Sequence, residues 1–143
     1  PLNYDLVLRM KAAFPHLTIC INGGITTLDQ AKSLLDQGLD GVMVGRAAYH
    51  DPASVLVGAD ALWGEAGGVD AFGAVAAMQP YIAAHLAQGG KLHQITRHML
   101  GLFTGRPGAR GWRRVLSEGA NKPGAGLDLL DTALAEVQRD VAA

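Results

Sequence analysis

The sequence predicts an α/β segment followed by an all-α segment, and three observations carry that prediction. Two short apolar runs each end in glycine: Ile19-Cys20-Ile21-Asn22-Gly23-Gly24-Ile25 and Gly41-Val42-Met43-Val44-Gly45-Arg46. One helix's worth of chain, Thr27 to Gln37, lies between them, which is the spacing of a βαβ unit. After a glycine-rich stretch at 58–68, the apolar spacing becomes helical to the end of the chain. The expected architecture is the last two βα units of a (β/α)₈ barrel, the place where that fold commonly holds a phosphate, followed by a small C-terminal helical bundle. The expected boundaries are 1–57 for the barrel portion, 58–68 for a linker and 69–143 for the helical domain.

The 143 residues fall short of the roughly 250 that a whole barrel of this kind needs. The chain opens on Pro1, and no signal-peptide pattern precedes the first helix. The expectation is therefore an incomplete barrel with an appended domain, from the C-terminal part of a longer protein. At 49% hydrophobic and 17% charged residues, with a net charge of −1, the composition is that of a soluble globular chain. No apolar run approaches the ~20 residues of a membrane span. The single cysteine, Cys20, excludes an internal disulfide framework and a cysteine-rich zinc site and suits a cytoplasmic protein. Neither a metal nor a membrane is expected as a partner, and the full-length protein is expected to be a monomer.

Each element has its own signal. Tyr4 to Phe14 reads as an amphipathic helix, with Leu6, Met10 and Phe14 as its apolar stripe and Pro15 as its stop. Leu17 to Ile21 and Leu39 to Val44 read as strands buried on both faces. Thr26 or Thr27 caps the helix between them, with Gly38 just past its end. Ala53 to Val57 reads as a short helix. In the second half, helices are expected over Phe72–Gln88, where Pro80 either kinks the helix or opens a second, and over Lys91–Phe103, with Leu92, Ile95, Met99 and Leu102 as the stripe. Two more are expected over Arg106–Leu116, with Pro107 in the first turn, and over Leu127–Val141, with Leu127, Leu130, Leu134, Val137 and Val141 on one face.

Two constellations carry chemistry. Glycine at the C-terminal end of a strand lets backbone approach a ligand closely, and successive backbone N–H groups bind anions. Gly23, Gly24, Gly45 and the N–H of Arg46 suit that role, the Arg46 guanidinium can pair bidentately with a phosphate, and Asn22 can bond a ligand's polar edge. The bland alternative is a pair of ordinary βα turns. The second constellation is electrostatic. Between Asp70 and Glu118 there is no carboxylate, yet the stretch holds Lys91, Arg97, Arg106, Arg110, Arg113 and Arg114, together with His85, His93 and His98. On a helix, Arg106, Arg110, Arg113 and Arg114 share one face while Ala109, Trp112 and Leu116 form another, so the basic face suits a polyanion. Here the bland alternative is a solvated charged face. Cys20 is expected to be a buried structural thiol, His50 and His98 structural hydrogen-bonding residues, and Tyr49 and Trp112 core residues.

The residues that end in Ile25, then Asp40-Gly41-Val42-Met43-Val44-Gly45-Arg46-Ala47-Ala48-Tyr49-His50-Asp51-Pro52, resemble the last two barrel strands of the tRNA-dihydrouridine synthases. Leu92-His93-Gln94-Ile95-Thr96-Arg97-His98-Met99-Leu100-Gly101-Leu102-Phe103 and Gly105-Arg106-Pro107-Gly108-Ala109-Arg110-Gly111-Trp112-Arg113-Arg114-Val115-Leu116-Ser117-Glu118 resemble the C-terminal helical domain of that family's A subfamily. The resemblance runs from about Tyr4 to Leu134. It implies an FMN enzyme, reduced by NADPH, that converts D-loop uridine at tRNA nucleotides 20 and 20a to dihydrouridine. By the same resemblance, Asn22, Gly23, Gly24, Gly45 and Arg46 would hold the FMN phosphate, and Arg110 and Arg113, then Arg97 and Arg114, would hold tRNA. The family's catalytic cysteine belongs to an upstream barrel loop, and Cys20 does not match it, so this chain by itself is expected not to reduce tRNA. Two other readings stand beside this one. Another phosphate-binding flavin barrel, such as a relative of dihydroorotate dehydrogenase, explains the glycines but not the basic helices. A non-catalytic RNA-binding module explains the helices but not the glycines.

Overall fold

The computed structural model describes residues 2–65 and 67–141, with side chains up to residue 137. Two strands, β1 (Cys20–Asn22) and β2 (Gly41–Met43), pair in parallel, with Cys20 opposite Gly41, Ile21 opposite Val42 and Asn22 opposite Met43. Helix α2 (Leu28–Asp36) links them, so the βαβ unit stands as expected. Thr27 is its N-cap and accepts from the Gln30 N–H at 3.2 Å. Gly38 follows its end, donating its N–H to the Leu35 carbonyl. Ile21, Ile25, Ala31, Leu34 and Leu39 form the buried core of this part.

Helix α1 (Tyr4–Ala13) precedes the sheet, with Asn3 as N-cap and Phe14 as C-cap. Its expected stripe faces water: Leu6, Met10 and Phe14 are 47%, 45% and 48% exposed. Tyr4, Val7 and Leu8 pack on the core instead. The helix carries two stripes at helical spacing, and the one with the larger residues is not the one buried. Lys11 anchors its end by donating to the Pro15 and Leu17 carbonyls and pairing with Asp40 at 2.7 Å. Asp40 also accepts the Ile19 N–H at 2.7 Å. That backbone bond first, and Lys11 second, hold the Asp40 carboxyl below the ordinary carboxylate pKa. A depressed folded pKa adds stability above the unfolded value, and this is lost as pH falls through the folded value. Urea midpoints should therefore fall more between pH 6 and pH 3 for the native chain than for Asp40→Asn; equal falls would remove this contact from the account.

Both strands are shorter than predicted, and Cys20 is exposed rather than buried. In β1 only Ile21 is buried, so the described sheet covers one face. Beyond β2 the chain forms two short helices, α3 (Arg46–His50) and α4 (Pro52–Leu56), the first of which the sequence did not announce. Within 58–68, read as a linker, Ala59–Trp63 forms a 3₁₀ helix and Leu62 packs on the first core. The chain divides into two compact units, one of residues 1–49 and 54–68 and one of 50–53 and 69–143.

The second unit is helical. Helix α5 (Ala71–Ala87) runs through Pro80 as one helix, with Asp70 capping its start through the Gly73 N–H at 2.7 Å. The predicted helix over 91–103 is only α6 (His93–Thr96), followed by successive turns with bonds from Met99 to Thr96, Leu102 to Met99 and Thr104 to Gly101. Three-residue turns keep Leu92 and Met99 buried and Ile95 and Leu102 partly so. Helix α7 spans Ala109–Gly119, so Arg106 and Pro107 precede it rather than open it. Helix α8 spans Leu127–Val141 as predicted. Its Leu130, Ala133 and Val137 are buried, while the Val141 side chain lies outside the described residues. Phe103 and Trp112 centre the core, their rings meeting edge to face at 4.9 Å. The Trp112 Nε1–H donates to the Met99 carbonyl at 3.0 Å. No described helix is long and apolar enough to cross a membrane.

Candidate functional site

Parallel pairing settles the geometry of the first candidate site. Strand ends that pair Asn22 with Met43 leave the sheet on the same side, roughly 4.8 Å apart. Gly23 and Gly24 therefore follow β1 at the edge where Val44, Gly45 and Arg46 follow β2. Gly23 and Gly24 have φ of 129° and 63°, which L side chains rarely adopt. A Cβ on Gly23 would also come within 2.6 Å of Leu2 Cδ2, so this loop lies tight against the chain's first residues. A Cβ on Gly45 would meet only Met43 Sδ, at 3.8 Å, which leaves that turn open. Asn22, Gly24, Gly45 and Arg46 are exposed. The Tyr4 hydroxyl donates to the Gly23 carbonyl and ties α1 to the loop. Sequence reasoning missed Tyr4, because nothing local marks a bond across nineteen positions.

The second candidate site lies on the helical unit. Arg110, Arg113 and Arg114 project from exposed positions of α7, opposite the buried Ala109, Trp112 and Leu116. Arg106, which lies before the helix, leaves that face and sits over the Phe72 ring at 5.8 Å. Arg114 has a counter-charge after all, Glu136 of α8 at 3.8 Å. Arg97 follows α6, which packs on α7, and its Nε donates to His98 Nε2 at 3.3 Å. His98 thus hydrogen-bonds as expected. Trp112 is core as expected, whereas Tyr49, also expected in the core, is 53% exposed on the five-residue α3, which buries none of its residues. Among the described residues no three His, Cys, Asp or Glu side chains gather as a metal site would require.

A family model described as dihydrouridine synthase (Dus) matches residues 1–139. The chain belongs to the dihydrouridine synthase family. It is 53% identical over 144 residues to the tRNA-dihydrouridine(20/20a) synthase of Shewanella oneidensis, covering 100% of this chain and 43% of that protein. It is 51% identical over 135 residues to the enzyme of that name from Escherichia coli K12, covering 94% and 39%, and 48% identical over 142 residues to that of Vibrio parahaemolyticus, covering 99% and 43%. The chain spans about two fifths of the length of the curated relatives it matches. For a dihydrouridine synthase chain, the two candidate sites differ in kind: one is a pair of glycine-containing turns at the same end of the sheet, the other an exposed cationic surface on α7.

Proposed function

We propose that the chain is the C-terminal portion of an FMN-dependent tRNA-dihydrouridine synthase, comprising the last two βα units of its (β/α)₈ barrel and its tRNA-binding helical domain, with 58–68 between them. The observation that carries the reading is the pairing, in one chain, of two glycine-ended parallel strands with a helical stretch, 71–117, that carries cations and no acid. The relatives named above support the reduction of uridine at positions 20 and 20a of tRNA.

The cradle suits the FMN phosphate. Its two loops share one sheet edge, Gly23 and Gly24 hold backbone shapes that keep side chains away, and the turn at Gly45 is open. In this reading the backbone N–H groups of Gly23, Gly24, Gly45 and Arg46 bind the phosphate, the Arg46 guanidinium neutralises it, and Asn22 orients a polar edge of the cofactor. FMN, when bound, supplies the hydride chemistry that links NADPH to uracil. The chain's own part is to hold and orient. Arg110 and Arg113 grip tRNA phosphates, Arg97 extends the grip, and Arg114 shares its charge with Glu136.

In the full-length enzyme, Arg110→Ala with Arg113→Ala should weaken tRNA binding and lower the slope of log affinity against log salt by roughly 1.4–1.8. Fluorescence anisotropy across a salt series reads both. Unchanged affinity at every salt concentration would refute the assignment.

A further inference from the structure

A cavity of about 520 Å³ lies in the helical unit, and none of the arginines of α7 lines it. One wall is the turn that joins α5 to α6, the other the loop that joins α7 to α8. Leu86, Leu92 and Pro123 give it apolar walls; Lys91, Lys122 and Asn121 give it polar ones. No carboxylate is among its lining residues. Both lysines are exposed.

Both walls are built rather than loose. At the end of α5 the Gly90 N–H bonds the His85 carbonyl and the Gly89 N–H the Leu86 carbonyl, the paired bonds of a Schellman cap. The Gln94 Oε1 then takes the Lys91 N–H at 2.9 Å and meets His85 Nε2 at 2.9 Å. Opposite, the Lys122 N–H bonds the Gly119 carbonyl and the Ala125 N–H the Lys122 carbonyl, two turns in succession. The backbone on which each lysine stands is therefore fixed before any ligand arrives.

Cavities of ~300–1,000 Å³ hold small molecules, and ammonium groups bind phosphate as point charges. We propose that this cavity receives one nucleotide of the RNA substrate, its phosphate against Lys91 and Lys122 and its ribose and base against Leu86 and Pro123. The proposal rests on the tRNA reading above and adds to it a binding place that the arginine face does not contain. Charge complementarity supports it, since two lysines and no carboxylate are among the residues that line the cavity.

Anisotropy titrations of a labelled tRNA transcript over a salt series test it on the full-length enzyme. Lys91→Gln with Lys122→Gln should lower the salt slope by roughly 1.4–1.8. Lys91→Arg with Lys122→Arg should keep the parental slope, and Arg9→Gln with Lys32→Gln, outside the cavity, should leave it unchanged. Matched circular-dichroism melts show that the variants are folded. An unaltered slope in the glutamine pair overturns the proposal. If Arg110→Ala with Arg113→Ala still lowers the slope in that case, tRNA binding stands and the cavity alone fails; if neither pair changes it, the underlying reading fails too. Free uridine 5′-monophosphate is the second probe. Saturable binding that the glutamine pair abolishes, with the tRNA slope unaltered, would make the cavity a mononucleotide site and likewise overturn the proposal.

Discussion

Gly108→Ala is expected to destabilise the helical unit by about 2–6 kcal/mol, the sum of backbone strain and overpacking. Gly108 is the N-cap of α7 and has φ of 78°. A Cβ there would come within 2.5 Å of Val137 Cα and closer still to the Glu136 carbonyl, both of them backbone of α8. Backbone cannot swing aside as a flexible side chain can, so α7 and α8 would have to part. Gly105 supplies the internal control. It has the same φ, 78°, but nothing lies within 4 Å of its would-be Cβ. Gly105→Ala should therefore show the strain alone, about 1–3 kcal/mol. Urea unfolding followed by circular dichroism measures both. Equal losses would mean that the close approach of α7 and α8 at Gly108 does not hold.

Trp112→Ala should cost about 3–5 kcal/mol. The indole is fully buried, packs edge to face on Phe103, and gives its only N–H to the Met99 carbonyl. Truncation removes that packing, opens a cavity at the centre of the unit and strands the carbonyl. Trp112→Phe keeps most of the ring and loses the donor, so it should cost only about 1–3 kcal/mol, the loss of one buried hydrogen bond. The same unfolding measurement separates the two variants. A loss below ~1 kcal/mol for alanine would contradict a core position.

Much of this architecture was legible. Hydrophobic spacing and end signals found α8 within its bounds, α5 within one residue at each end, and the stop of α2 at Gly38, while narrowing its cap to Thr26 or Thr27, of which Thr27 caps. Where the reading failed, the local signal was degenerate. In α1, Leu6-Met10-Phe14 and Tyr4-Val7-Leu8 are both apolar stripes at helical spacing, and only tertiary packing chooses between them. At 92–103, Leu92, Ile95, Met99 and Leu102 recur at spacings of three and four, which a run of three-residue turns satisfies as well as an α-helix does. Cys20 was read as buried because an apolar run was taken for a strand buried on both faces, whereas the sheet buries one; Tyr49, read as core, falls on a short surface helix. The glycine ends of the candidate cradle were visible in the sequence, but the Tyr4 bond to Gly23 was not. Glu136 as counter-charge to Arg114, and the meeting of residues 90–92 with 120–126 around one cavity, were equally invisible, because each joins positions far apart in the chain.

The segregation of charge has a kinetic consequence. The chain carries 12 basic side chains against 13 acidic ones, so at a distance its own charges nearly cancel. Only within a Debye length, about 8 Å at physiological ionic strength, are the cations of 71–117 felt as a local cluster, with Glu136 offsetting Arg114. This chain's own contribution to long-range attraction of a polyanion is correspondingly small. Commitment is deferred to the last few ångströms of an encounter, where shape as well as charge can be inspected.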